Sequence, residues 1–544
     1  MHRELLDARR RANTHAFFQN KPADDNTVST YRRSKPNRRW TPPDDPRTAL
    51  QFRRARETFC TLADRQEAPH KKGDWLVKRA RRWLENNPDF LIADSDKNLG
   101  DLIIHRSALQ QITQDQLRRG FKRIDAHEAS EIVHNTNMAL EQIAVRHHRA
   151  GNIKRQQCDF LLEATSKRAM GRFRVRVKLH KTPISGRPLC NMAGCSVQMI
   201  GVFLHETLYP TLSRHTSIIN STDDLIRQMS SWRIPCGYKI RTTDVVDMFP
   251  SLDRVLLMPR LKKFYHENLA DGIAQLLTSL TDLILRGTTL QHGDSFWLCT
   301  EGVPTGLSPS STIANAALIS LDEELVKTHD ILHLRRYIDD IITVDKAEEH
   351  DFSATASKWM SSIKLEQSGS ACMPSDEVVY LDLRISFDSN GAVLFTQYEK
   401  PLAQYLYIPW GSSHSTGLKT GLITSGLIRI GRRFSIGQPA SLIRAAQERF
   451  FNRLRNRGYP NHVLRQAMQR FRKSGHTGPI ARVSSHPKTR PLVIALRRNT
   501  SARVQRKTPT TMFLRNFRRT WPKRQPEKTD GRDGGSRNFF GCHG

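Results

Sequence analysis

Apolar and β-branched residues gather on both sides of one acidic pair. Residues 332–344 read LHLRRYIDDIITV, and the flanks of Asp339-Asp340 predict a strand, a tight turn and a returning strand. Residues 241–253 (RTTDVVDMFPSLD) predict a strand edge presenting Asp244, continued by Val245-Val246, with Asp247 and Phe249 in the strand-to-helix turn beyond. In residues 302–315 (GVPTGLSPSSTIAN), Pro304 and Gly306 shape a turn that opens an apolar helix over 313–321. Residues 75–84 (WLVKRARRWL) predict an amphipathic helix with Trp75, Leu76, Trp83 and Leu84 near one face. Leu442, Ala446, Phe450 and Leu454 recur every fourth residue, and Leu464, Ala467, Met468 and Phe471 form a second stripe. Residues 441–473 therefore predict two helices, the first capped by Ser441 and stopped by Gly458, the second capped by Asn461. The expected class is α+β. The expected divisions are a basic, partly helical extension (1–89), a globular centre (90–395), a helical region (396–475) and a basic, disordered tail (476–544).

Charge narrows the partners. The 544 residues carry 86 Lys+Arg against 53 Asp+Glu, a net +33 that would repel itself without a polyanion to neutralise it. Part of it rims the two C-terminal stripes as Arg444, Arg449, Arg453, Arg455, Arg457, Arg465 and Arg470, which makes that rim a candidate phosphate-facing surface. No apolar run approaches the length of a membrane helix, and the start lacks the apolar stretch of a secretory signal. Eight cysteines include no CxxC pair, so they read as free intracellular thiols rather than a disulfide frame or zinc site.

Each acidic piece has an ordinary alternative. Asp339-Asp340 can be a plain hairpin tip, Asp244 and Asp247 a strand-to-helix turn, and 302–309 a capping loop. Their order is more informative than any one of them. A carboxylate strand, a Gly loop entering a helix and an Asp-Asp hairpin within about 100 residues supply the parts of a two-metal phosphoryl-transfer site. Adjacent carboxylates repel, and a hard divalent cation such as Mg²⁺ relieves that.

These motifs resemble those of reverse transcriptases, in the unpermuted palm order. The resemblance implies a right-hand polymerase fold of fingers, palm and thumb, with fingers and palm over 90–395 and a thumb over 396–475. Asp244 matches the first-strand metal aspartate, and Asp339 and Asp340 match the pair in Tyr337-Ile338-Asp339-Asp340. These three would be both catalytic and metal-holding, for two Mg²⁺ or Mn²⁺ ions. Gly302–Pro309 is similar to the loop that contacts template and nucleotide, so Pro304, Thr305 and Gly306 become substrate-binding candidates. Thr305 stands where many relatives have Gln or Met. Phe249 falls where the family has a bulky ring beneath the incoming sugar, which would collide with a ribose 2′-hydroxyl. Residues 91–100 (LIADSDKNLG) and 178–188 (KLHKTPISGRP) resemble fingers segments, which makes Arg187, then Lys97 and Lys181, candidates for gripping a triphosphate. Lys364 sits where a lysine could protonate pyrophosphate, and residues 380–383 (YLDL) resemble a primer-grip turn.

Residues 398–435, followed by Arg457-Gly458-Tyr459-Pro460, are similar to the thumb entry of the Penelope-like retroelement enzymes, which are related to telomerase. Neither half of the GIY-YIG nuclease common in that group is visible in 476–544. The resemblance covers residues 90–475. It implies an RNA template, a DNA primer and deoxynucleotides as partners, Arg444, Arg449, Arg453 and Arg457 on the nucleic acid, and intracellular, nuclear residence. An RNA-dependent RNA polymerase and a catalytically silent nucleic-acid-binding relic remain open at this point. RNA-copying RNA polymerases of similar fold carry Gly before the Asp pair, where this chain has Ile338.

Overall fold

The computed structural model describes residues 49, 50, 53, 74–96, 99–179, 182–347, 351–401 and 403–473. Their elements belong to the compact unit Gly73–Trp410 with Thr416–Ser485. The N-terminal part of the expected extension, the expected tail, Lys97 and Lys181 lie outside the described residues.

The order begins α1 (Asp74–Asn86), β1 (Phe90–Asp94), β2 (Asp101–His105), α2 (Arg106–Leu117), β3 (Phe121–Ile124), α3 (Ala126–Arg149), α4 (Arg155–Thr165), β4 (Gly171–Lys178), β5 (Ser185–Asn191), α5 (Ser196–Leu212) and α6 (Thr222–Met229). It continues through β6 (Tyr238–Val245), α7 (Met248–Ser251), α8 (Arg254–Asn268), α9 (Asp271–Arg286), β7 (Thr289–His292), β8 (Ser295–Cys299) and α10 (Ser310–Thr328). Then come β9 (Ile331–Tyr337), β10 (Asp340–Lys346), α11 (Phe352–Trp359), β11 (Leu365–Ala371), β12 (Val378–Tyr380), β13 (Leu383–Phe387) and β14 (Val393–Gln397). Three helices close the described chain: α12 (Thr416–Arg432), α13 (Ala440–Asn456) and α14 (Asn461–Lys473). This is the expected α+β class.

One four-stranded antiparallel sheet, in the order β11-β6-β10-β9, carries the acidic motifs. Its two central strands, YKIRTTDV and DIITVDK, are buried along most of their length on both faces. Polar side chains inside such strands need partners. The Nη2 of Arg241 meets Asp345 Oδ2 at 2.7 Å, both groups being buried, and Lys239 Nζ donates to the Ala347 carbonyl at 3.1 Å. A core of Leu225, Met229, Trp232, Ile342, Val344 and Phe395 joins this sheet to the smaller sheet β12-β13-β14. A five-stranded sheet, β3-β8-β7-β4-β5, forms a separate layer, and the β1-β2 hairpin touches it through the Ser95–Val177 bridge.

The last three helices share their own core of Ile423, Leu427, Phe450, Leu454, Leu464 and Phe471. Both predicted stripes are there, with two corrections. Leu442 is 44% exposed, because the first turn of α13 runs past the cluster, and Phe451 takes a buried place beside Phe450 instead. Neither expected cap is one: α14 already starts at Asn461, whose Oδ1 accepts from Arg455 Nε at 3.0 Å, and Ser441 is the second residue of α13. The helix begins at Ala440 after Pro439, whose fixed φ suits a helix start without a side-chain hydrogen bond. Gly458 ends α13 with φ +82°, as expected.

Candidate active site

Strand pairing alone brings the acids together. Asp340 is directly opposite Asp244 across β10 and β6, and it closes the β9–β10 hairpin opposite Tyr337. That leaves Ile338-Asp339 as a two-residue loop, so Asp339 projects at the same end. Carboxylate oxygens of Asp244, Asp339 and Asp340 lie within 4.8 Å of one another, and all three residues are half-buried. Burial first, then the charges of Asp339 and Asp244, push the Asp340 carboxyl up to about 6, with Lys400 pulling the other way. Three clustered, partly desolvated carboxylates are a hard-oxygen donor set that divalent cations would stabilise.

The turn itself is strained and pinned. Ile338 has φ +62°, a conformation that costs a β-branched residue about 1–3 kcal/mol. Three bonds hold the segment: Arg336 Nη1 donates to the Ile338 carbonyl at 3.0 Å, Val245 N–H to the Asp339 carbonyl at 3.0 Å, and the Tyr380 hydroxyl to the Asp340 carbonyl at 2.8 Å. Arg336 is 1% exposed. Its guanidinium also forks onto Asp322 of α10 (2.9 Å from Nε to Oδ1 and from Nη2 to Oδ2) and meets Asn315 Oδ1 at 2.7 Å. Ser217 Oγ donates to the same Asp322 at 2.7 Å.

Phe249 lies half-buried on the short α7 that follows β6, and its carbonyl accepts from Val303 N–H at 2.8 Å. A Cβ on Gly302 would come within 2.5 Å of that carbonyl oxygen, so glycine permits the approach. The loop also reaches β5. Thr305 Oγ1 donates to the Pro188 carbonyl at 2.6 Å and Cys190 N–H to the Thr305 carbonyl at 2.8 Å, while Pro304 is buried and Gly306 exposed. Arg254 fixes the loop from behind, donating to the carbonyls of Gly302 (2.8 Å), Cys299 (2.9 Å) and Leu285 (2.8 Å).

Arg187 is on β5, next to the residue that binds Thr305, and its guanidinium is 3.4 Å from the buried Asp96. Lys178 Nζ, at the end of β4, is 3.7 Å from Asp247 Oδ1. Lys364 is exposed, and its carbonyl accepts from Val246 N–H at 3.0 Å where β11 borders β6. Farther on, Arg453 forks onto Glu399 (2.6 and 3.0 Å) and sits 3.7 Å above the Tyr405 ring. Arg449 shares Glu399, Arg457 donates to the Tyr407 carbonyl at 2.7 Å, and Arg444 is exposed.

Sequence reasoning passed over Lys178, Asp96, Arg336, Asp322 and Arg254. A signal existed for three of them: Arg336 directly precedes Tyr337, Asp96 lies inside the quoted LIADSDKNLG segment, and Lys178 opens the quoted KLHKTPISGRP segment. For Arg254 and Asp322 only the fold reveals the partners.

No family model and no curated protein matches the chain. Solved structures similar to it include telomerase from Candida albicans with a fragment of telomeric RNA (10% identity, 76% of this chain and 70% of that one, TM-score 0.47). Apo telomerase from Candida tropicalis (9%, 78% and 75%, 0.38) and the RNA-dependent RNA polymerase of a human picorbirnavirus (10%, 73% and 87%, 0.41) are also similar. These likenesses are too distant to assign an activity.

Proposed function

We propose that the chain is an RNA-directed DNA polymerase of a retroelement, most like the Penelope-like group, extending a primer 3′-hydroxyl with deoxynucleotides. The observation that carries the polymerase reading is the meeting of Asp244 with Asp339 and Asp340 across one strand pair. Asp244, Asp339 and Asp340 would hold two Mg²⁺ or Mn²⁺ ions, which when bound would acidify the 3′-hydroxyl and neutralise the departing pyrophosphate. The five-stranded sheet would be the fingers, the β11-β6-β10-β9 sheet the palm and α12–α14 the thumb. Arg187 and Lys178 would meet the triphosphate, Arg187 as a fork held by Asp96. Phe249 would close the space beside C2′ of the sugar, and the Gly302–Gly306 loop would fix where Phe249 sits. Arg444 and its neighbours would track the template–primer backbone, a contact that weakens as salt rises.

Ile338 in place of glycine, together with Phe249, favours DNA over RNA synthesis. The test is primer extension on poly(rA)–oligo(dT) with Mg²⁺ or Mn²⁺, beside Asp339→Asn. Wild type should extend with dTTP. The variant should bind the duplex equally and lose at least about a hundredfold in rate, the scale of several kcal/mol of transition-state stabilisation. Preference for ribonucleotides would make it an RNA polymerase. Binding without extension under either metal would make it a silent relic.

A further inference from the structure

A polar cavity of about 380 Å³ opens among α3, α8 and α9. Arg146 from α3, Lys262 and His266 from α8, and Gln275, Thr278 and Ser279 from α9 line it. No lining residue is acidic. Asp271, which faces His266 Nδ1 at 3.0 Å, points its carboxylate mostly to solvent. Arg146 and Lys262 have no carboxylate partner among the described residues, whereas the adjacent Lys263 pairs with Glu267 at 3.7 Å. Two exposed cations without carboxylate partners, contributed by different helices, thus border one space.

The floor is set. Buried His147 is joined to Asn152 Nδ2 through its Nδ1 at 3.0 Å. The hydroxyls of Thr278 and Ser279 donate to carbonyls one turn back, at 2.8 and 3.0 Å. Arg146 belongs to the basic last turn of α3, where it complements the carbonyl end of that helix. Lys262, in the middle of α8, has no such role. Lys262 and His266 are 8 and 12 residues beyond Arg254, or about 12 and 18 Å along the helix from the end that follows the acidic strand. The cavity is therefore separate from the carboxylate cluster.

We infer that this cavity binds a phosphate-bearing ligand, with Arg146 and Lys262 on its phosphoryl oxygens. The phosphate can belong to an RNA backbone or to a free nucleotide. The inference does not depend on polymerase turnover, since a silent relic would keep the site.

Lysine acetylation read by mass spectrometry tests it on the full chain, with Lys263 as the internal control one residue away. The probes are a single-stranded oligo(rU) 20-mer and ATP. At a probe concentration about tenfold above its dissociation constant, Lys262 acetylation should slow roughly tenfold while Lys263 is unchanged. Protection by the RNA assigns the phosphodiester source, and protection by ATP assigns the nucleotide. Arg146→Glu should abolish the protection and keep the fold: Arg146 is exposed, so reversing its charge at the carbonyl end of α3 costs only about 1 kcal/mol, read as a small drop in melting midpoint. Equal modification of both lysines with both probes would overturn the inference, as would protection that survives Arg146→Glu.

Discussion

Replacing Arg336 by methionine separates the two jobs the geometry gives this side chain. The substitution keeps most of the volume and removes every donor. Asp322, itself 1% exposed, would keep only the Ser217 hydroxyl of the partners named above. Breaking one side of a buried ion pair costs about 3–5 kcal/mol, because the remaining charge stays desolvated and unpaired. That is a large share of the roughly 5–15 kcal/mol available to a folded domain. Urea unfolding followed by circular dichroism should give a clearly lowered midpoint. The double variant Arg336→Met/Asp322→Leu removes the orphan charge and should regain much of the loss. Primer extension should not recover with it, since the Ile338 carbonyl still lacks its donor and the strained turn carrying Asp339 is released. A double variant that regains both stability and extension would refute the positioning role. A single variant destabilised by less than about 1 kcal/mol would refute the burial reasoning itself.

Asp340→Asn should raise the stability of the metal-free protein. The folded-state carboxyl, at about 6, lies above its unfolded value near 4, so its favourable contribution is full below pH 4 and is lost as pH rises through 6. With solvent screening of a half-buried group, the gain at pH 8 should be about 1–2 kcal/mol and should shrink toward pH 5. A gain that ignores pH would contradict this. Phe249→Val should cut discrimination against ribonucleotides by roughly 10- to 100-fold, the range for one steric contact, in single-nucleotide insertion assays. An unchanged ratio would place the selectivity elsewhere. Gly426→Ala would put a Cβ 2.3 Å from the Phe450 ring and should destabilise the three-helix cluster by about 1–3 kcal/mol in chemical denaturation.

The acidic hairpin was legible because its evidence is local: β-branched flanks, a two-residue turn and a fixed order of motifs. The α13 and α14 stripes were legible for the same reason, within a residue or so at their ends. The roles of the arginines were not. Arg453 and Arg457 read as phosphate-facing from their charge, yet Arg453 is tied to Glu399, 54 residues away, and Arg457 to the Tyr407 carbonyl, 50 residues away. Charge in a sequence cannot distinguish a solvent-facing guanidinium from one paired across such a gap. Arg241 and Arg336, which arginine's usual exposure would place at the surface, are instead core residues.

Those two buried arginines explain how an unfavourable site persists in this fold. Asp244, Asp339 and Asp340 repel, and Ile338 and Asp247 hold left-handed backbone at φ +62° and +44°. None of these features stabilises the sheet, so something beneath must over-determine the geometry. Arg241 and Arg336 do so from β6 and β9, the two strands that flank β10. The first ties β6 to β10 through Asp345, and the second ties the hairpin tip to α10 through Asp322 and Asn315. An apolar side chain could fill either space, but it could not donate to the Ile338 carbonyl while anchoring a helix. The ion pairs are better understood as fixing position than as adding net stability, since buried pairs of this kind are often replaceable without loss. Sequence patterning sees the acids because they are exposed to chemistry, and misses the arginines because their task is completed inside the fold.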